Sequence, residues 1–115
     1  RTGRWVFGCD RCQEVCPLNS RARPTEIEDF RRHIAGPTVD LTELLALEDD
    51  DAVRRRFAGS PLLRARRSAL VRNACIAAAN AGAVHLLPRL EELSSDTDPV
   101  VAETAARSAL HLRRR

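Results

Sequence analysis

The sequence predicts a mostly α-helical chain in which an irregular, cysteine-bearing segment precedes a short stack of paired helices. Three observations carry this expectation. Alanine and leucine dominate the apolar residues and aromatics reach only 3%, a balance that favours helices over a β-sandwich or barrel. Cap-plus-proline pairs, Ser60-Pro61 and Asp98-Pro99, read as helix starts. Three of the four cysteines fall before residue 38, where Pro17, Pro24 and Pro37 punctuate loops. The expected division is residues 1–37 and residues 38–115.

Within 38–59 the pattern gives short helices. Asp40 is placed to cap a helix carrying Leu41, Leu44, Leu45 and Leu47, with Glu43 three residues beyond the cap. A second helical turn or two follows Asp49–Asp51, carries Val53 and Phe57, and is stopped by Gly59. From Ser60-Pro61 one helix is expected to run to about Asn80, with Leu63, Leu70, Ala74, Ala77 and Ala81 at helical spacing and Gly82 as its end. Leu86, Leu87, Leu90 and Leu93 mark a shorter helix. Ser94 to Asp98 is a loop, and Val101, Ala105, Ser108 and Leu112 form the last stripe.

Val71, Cys75 and Ala78 are echoed by Val101, Ala105 and Ser108 at an offset of 30 residues. Helical pairs repeating near this period are the mark of an α-solenoid, in which each pair buries its stripe on the next. The stretch from Leu86 through Val101 resembles a HEAT-like repeat in its spacing.

The bulk properties bound the class. All 19 basic residues are Arg, the net charge is +3 and the pI about 9.0, a mild excess that permits an anionic partner without demanding one. No apolar run approaches the ~18 residues of a membrane span, so no membrane association is expected and a cytoplasmic, monomeric protein is. The absence of Met suggests a piece of a longer chain. In a reducing compartment, closely spaced cysteines are metal ligands or redox groups rather than disulfides.

Those cysteines stand as Cys9-x-x-Cys12-x-x-x-Cys16-Pro17. Iron–sulfur clusters are held by thiolates that converge from a tight loop, and in two-cluster ferredoxins the cysteine before proline ligates the other cluster. By that logic Cys9 and Cys12 serve one iron–sulfur cluster and Cys16 a second, in a ferredoxin-like loop. The usual run has a further cysteine, whose place is taken here by Val6, so the remaining ligands are expected upstream of Arg1. A three-Cys, one-His zinc site with His33 is the competing reading. Cys75 shares the repeat position of Ala105 and reads as a small buried residue. His33, His85 and His111 are isolated, and no residue has the spacing of an acid–base catalyst.

The segment Gly3 to Asn19 resembles the second cysteine cluster of epoxyqueuosine reductase, whose pattern is G-C-D-x-C-Q-x-V-C-P-W-N. Gly8, Cys9, Asp10, Cys12, Gln13, Val15, Cys16, Pro17 and Asn19 match. Leu18 departs from the family's Trp, which leaves ligation intact but removes a large packing group. Arg56-Phe57, Gly59-Ser60-Pro61-Leu62 and Arg64-Ala65-Arg66-Arg67 are similar to the family's connector, and Leu70, Arg72, Asn73 and Ala74 to its next helix. The resemblance implies a reductase of the queuosine precursor in the tRNA anticodon stem-loop. It also implies two [4Fe–4S] clusters, cobalamin held by a preceding domain, and an electron-donor protein.

Arginines cluster from Arg54 to Arg72. Guanidinium groups bind phosphate bidentately and stack on bases, and Arg64, Arg66, Arg67 and Arg72 are the expected tRNA contacts. A solvated helix face balanced by Glu48 to Asp51 is the plainer reading. The competing function is a non-catalytic iron–sulfur electron-transfer module on a HEAT-like binding scaffold.

Overall fold

The computed structural model describes residues 3–32, 34–36 and 38–115. His33 and Pro37, which entered the zinc reading and the loop punctuation, lie outside the described residues. Of the described residues, 61% are helical, and none of them forms a strand. The helices are α1 (Arg11–Glu14), α2 (Glu28–Arg31), α3 (Leu41–Leu45), α4 (Asp50–Phe57), α5 (Arg67–Ala81), α6 (Leu87–Leu93) and α7 (Pro99–Arg113).

The caps expected at Asp40 and Asp98 form, and Asp49 supplies a further one that the sequence reading did not assign. Asp40 accepts from the Thr42 amide at 2.7 Å, Asp49 from Ala52 at 2.6 Å, and Asp98 from Val100 and Val101 at 2.9 and 3.2 Å. These bonds satisfy orphan amides of each first turn. Glu43 does not close a capping box at α3; its carboxylate pairs instead with Arg56 on α4.

Residues 60–81 correct the expectation of one long helix. Ser60 caps only a 3₁₀ turn over Pro61–Arg64, and Ala65 and Arg66 return to extended backbone at ψ 137° and 163°. The α-helix begins afresh at Arg67. The break turns Leu62 inward, at 5% exposure, and leaves Leu63 outward at 43%. The far end of α5 behaves as expected: Gly82 takes φ 69°, the Ala83 amide donates to the Ala78 carbonyl at 3.0 Å and the Gly82 amide to Ala79 at 3.2 Å. This is a Schellman end, which only a residue tolerant of the left-handed region closes without strain.

The core lies wholly in residues 44–112. Phe57, Leu44, Leu45, Leu70, Val71, Leu90 and Val101 are fully buried. α5 packs along α7, α6 lies against α7, and α3 against α5. All six residues of the 30-residue echo are buried, so both stripes belong to this one core. Two arginines tie the layers together. Arg89 donates through Nε and a terminal nitrogen to the Leu45 carbonyl at 3.1 and 3.0 Å, and Arg67 Nε donates to the Leu47 carbonyl at 2.8 Å. Both satisfy carbonyls left free where α3 ends.

No described residue before Thr38 is buried, although Val6 and Ala35 are partly buried against the core. The radius of gyration, 16.0 Å, exceeds the ~13 Å of a compact domain of ~100 residues, as expected for a segment spread over the helical body. No helix among the described residues is long and apolar enough to cross a membrane.

Candidate cluster loop and arginine surface

The cysteine loop is built by one helical turn. The Asp10 carbonyl accepts from the Gln13 and Glu14 amides, both at 2.8 Å, and so folds Arg11–Glu14 into α1. Cys9 enters this turn, Cys12 sits within it and Cys16 follows it. The Cys16 carbonyl accepts from Asn19 and Ser20, and the Asn19 side chain donates to the Gln13 carbonyl at 2.9 Å. Pro17, which has no amide to donate, occupies the bend between the two turns. Asn19, matched to the family pattern without an assigned role, thus pins the exit of the loop to α1.

Cys9 and Cys12 are exposed thiols, and Cys16 is partly covered. No group of three or more Cys, His, Asp or Glu side chains converges on a metal position among the described residues. Leu18 stands 82% exposed beside the loop, and Val15, at 77%, is equally uncovered. Cys75 lies at 0% exposure within α5, and burial pushes its thiol up to about 12.

Two asparagines on α5 hold the approach to the loop. Asn73 Nδ2 donates to the Val6 carbonyl at 2.8 Å and Asn80 Nδ2 to the Gly3 carbonyl at 2.6 Å. Seven residues are nearly two turns of helix, so both amides leave from one face of α5. Spacing alone could not identify these anchors, because an Asn on a helix face looks the same whether it bonds water or a distant carbonyl.

The four candidate phosphate-binding arginines separate in the structure. Arg64 and Arg66 are exposed on the 3₁₀ turn and at the start of α5. Arg72 is partly buried and its Nε and a terminal nitrogen donate to the Asn73 amide oxygen at 3.1 and 3.0 Å; it lies roughly 120° around α5 from Arg66. Arg67 departs from the expectation. Its two terminal nitrogens grip both carboxylate oxygens of Asp96 at 3.0 and 2.5 Å, its Nε is taken by Leu47, and its side chain is 14% exposed. This guanidinium is engaged inside the fold, by Asp96 and the Leu47 carbonyl. Arg54 pairs with Asp51 at 2.5 Å and Arg56 with Glu43 while lying over the Phe57 ring.

Comparison with known proteins gives consistent results. An epoxyqueuosine reductase of Xanthomonas campestris is 34% identical over 102 residues, covering 88% of this chain and 28% of the relative. One from Pseudomonas aeruginosa is 39% identical over 93 residues, covering 81% and 25%. The chain is a relative of the epoxyqueuosine reductases. An epoxyqueuosine reductase of Leadbetterella byssophila reaches 65% identity over 26 residues, 23% of this chain and 9% of the relative. The chain spans about a quarter of the length of the first two relatives. Those relatives bear the name of an oxidoreductase. No protein-family profile and no solved structure matches the chain.

Proposed function

We propose that this chain is the C-terminal part of an epoxyqueuosine reductase, where it supplies cluster thiolates and a helical surface for tRNA. The observation that carries the reading is the cysteine loop: three cysteines and a proline at cluster spacing on and around a one-turn helix, in a chain 34–39% identical to reductases of that name. Cys9 and Cys12 present exposed thiols to one [4Fe–4S] cluster, and Cys16, beyond the turn, serves a second. Each cluster then takes only part of its ligands from this chain. The clusters, when bound, supply electrons to a cobalamin held by a preceding domain, and so serve reduction of the epoxide. The chain's own work is to fix the thiols: Asp10 folds the turn, Asn19 locks its exit, and Asn73 and Asn80 tie its approach to α5. Arg64 and Arg66, with Arg72 behind them, form the cationic side offered to RNA phosphates, and α5 to α7 act as a HEAT-like scaffold.

Anaerobic reconstitution with iron and sulfide in the full-length protein tests the loop. Cys9→Ala and Cys16→Ala are each expected to lower bound iron and the visible cluster absorption, and to abolish conversion of epoxyqueuosine in tRNA. Full iron content in both variants, or tight zinc with no cluster absorption in the parent, would overturn the reading.

A further inference from the structure

Beside the cysteine loop a groove of about 1190 Å³ runs between the Gly3–Arg11 segment and the helical body. Its volume exceeds the ~300–1,000 Å³ of ordinary small-molecule pockets, so an extended oligomer fits it better than one compact metabolite. The lining is chemically specific. Arg4, Arg11 and Arg32 contribute three cations, against Asp10 as the only acid among the described lining residues. Arg4 and Arg11 have no acidic partner within ion-pair distance among the described residues, and Arg32 reaches Glu28 only at 4.0 Å across two exposed side chains. Such a pair is worth little and yields readily to a phosphate. Trp5 and Phe7 line the same groove and each is 39% exposed. Large aromatic faces left open beside unpaired guanidinium groups are the combination by which proteins hold single-stranded nucleic acid, with bases stacked on rings and phosphates on arginines.

We propose that this groove binds an unpaired stretch of RNA, with a base against Trp5 and the flanking phosphates on Arg4, Arg11 and Arg32. The proposal rests on the reading of the protein as acting on tRNA and goes beyond the helical arginines, which contact phosphates alone. Phe7 offers the second stacking face. The surface is distinct from Arg64 and Arg66, neither of which lines it.

Trp5 is the only tryptophan in the 115-residue chain, so its fluorescence reports on the groove alone. The chain is titrated with a short oligouridylate, with an abasic ribose-phosphate oligomer of equal length, and with inorganic phosphate. A labelled anticodon stem-loop is followed in parallel by anisotropy. The expected result is quenching of Trp5 by oligouridylate and by the stem-loop, with little change for the abasic oligomer or phosphate. Trp5→Leu, which keeps apolar bulk but removes the stacking face, is expected to weaken labelled oligouridylate roughly 5- to 150-fold. The double variant Arg4→Ala/Arg32→Ala retains the aromatic rings and is expected to lower the logarithmic salt slope by about 2; far-ultraviolet circular dichroism checks that each variant keeps its helices. Equal quenching by the abasic oligomer would overturn the stacking site. A stem-loop that binds with Trp5 emission unchanged, and equally in Trp5→Leu, would overturn the groove while leaving the tRNA reading in place. Absence of binding by every RNA overturns both.

Discussion

Arg67 at the start of α5 and Asp96 before α7 lock together through two hydrogen bonds across 29 residues of sequence, with side-chain exposures of 14% and 8%. Asp96 also accepts from the Asp98 amide at 2.9 Å, and Arg67 closes the end of α3 through Leu47. The pair therefore joins three helices at one point. Removing one partner strands the other in a largely dry site, a loss of about 3 kcal/mol. Arg67→Ala and Asp96→Ala are each expected to lower the urea midpoint and to bring the thermal midpoint down by roughly 10–20 °C. Asp96→Asn, which keeps one acceptor, is expected to fall between them and the parent. A parent-like midpoint for Arg67→Ala would contradict this role.

The same pair sets limits in pH. The Arg67 hydrogen bond holds the Asp96 carboxyl below its ordinary value, and the Asp96 hydrogen bond raises the Arg67 guanidinium above its own. A depressed acid contributes stability that is full above its unfolded value, near ~4, and is lost as pH falls through the folded one. The raised guanidinium contributes stability that is complete below its ordinary strongly alkaline range and is lost only as pH rises beyond it. Equilibrium unfolding is thus expected to show a loss of stability on descending below pH ~4 that is absent in Asp96→Asn.

Cys75 should behave unlike the other three cysteines. Its thiol, buried and pushed up to about 12, presents no thiolate near neutrality, and thiolate is the reactive form. Iodoacetamide at pH 8 applied to the metal-free chain is expected to label Cys9, Cys12 and Cys16, and to reach Cys75 only after denaturation. Mass spectrometry of the adducts checks it. The raised value also means that stability contributed by this neutral thiol is complete below the unfolded value near ~8.5–9 and is lost as pH climbs through about 12.

The exposed arginines carry a separate expectation. Arg64→Ala/Arg66→Ala in the full-length protein is expected to weaken tRNA binding at low salt and to reduce the salt slope by about 2, with stability unchanged. Arg67→Ala is expected to do the reverse, lowering stability without a change in slope for the fraction that stays folded.

Asp98 tests how far a cap governs the last helix. It satisfies two amides of α7, and Asp98→Ala is expected to cost about 1 kcal/mol, read as a lower urea midpoint at unchanged slope.

Much of the helical body is legible in the sequence because its signals are local. Asp40, Asp49 and Asp98 cap where a short acceptor precedes an apolar stripe, and Gly82 ends α5 because the turn there needs a positive φ. The stretch from Ser60 to Arg66 misleads for a local reason as well: Ser-Pro fits the start of a 3₁₀ turn as readily as that of an α-helix. Arg67 is illegible for the opposite reason. It stands in a run of like residues, and what turns it inward is an aspartate in another helical layer. The cysteine spacing identifies candidate ligands by type, but the two asparagines that hold the loop's approach have no motif.

Those asparagines act as a gauge. Seven residues of helix rise about 10.5 Å, and the three steps from Gly3 to Val6 reach at most about 10–11 Å, so the two measures match with little slack beyond the side chains themselves. One bond would leave the segment free to swivel; two, from Asn73 and Asn80, fix its bearing as well as its distance. Cys9 follows three residues later, and its thiol is therefore indexed to α5, the helix that opens beside Arg66 and carries Arg72. A single residue inserted between Gly3 and Val6 would shift that index by about 3.5 Å, and would misplace the Cys9 thiol without altering a single cysteine.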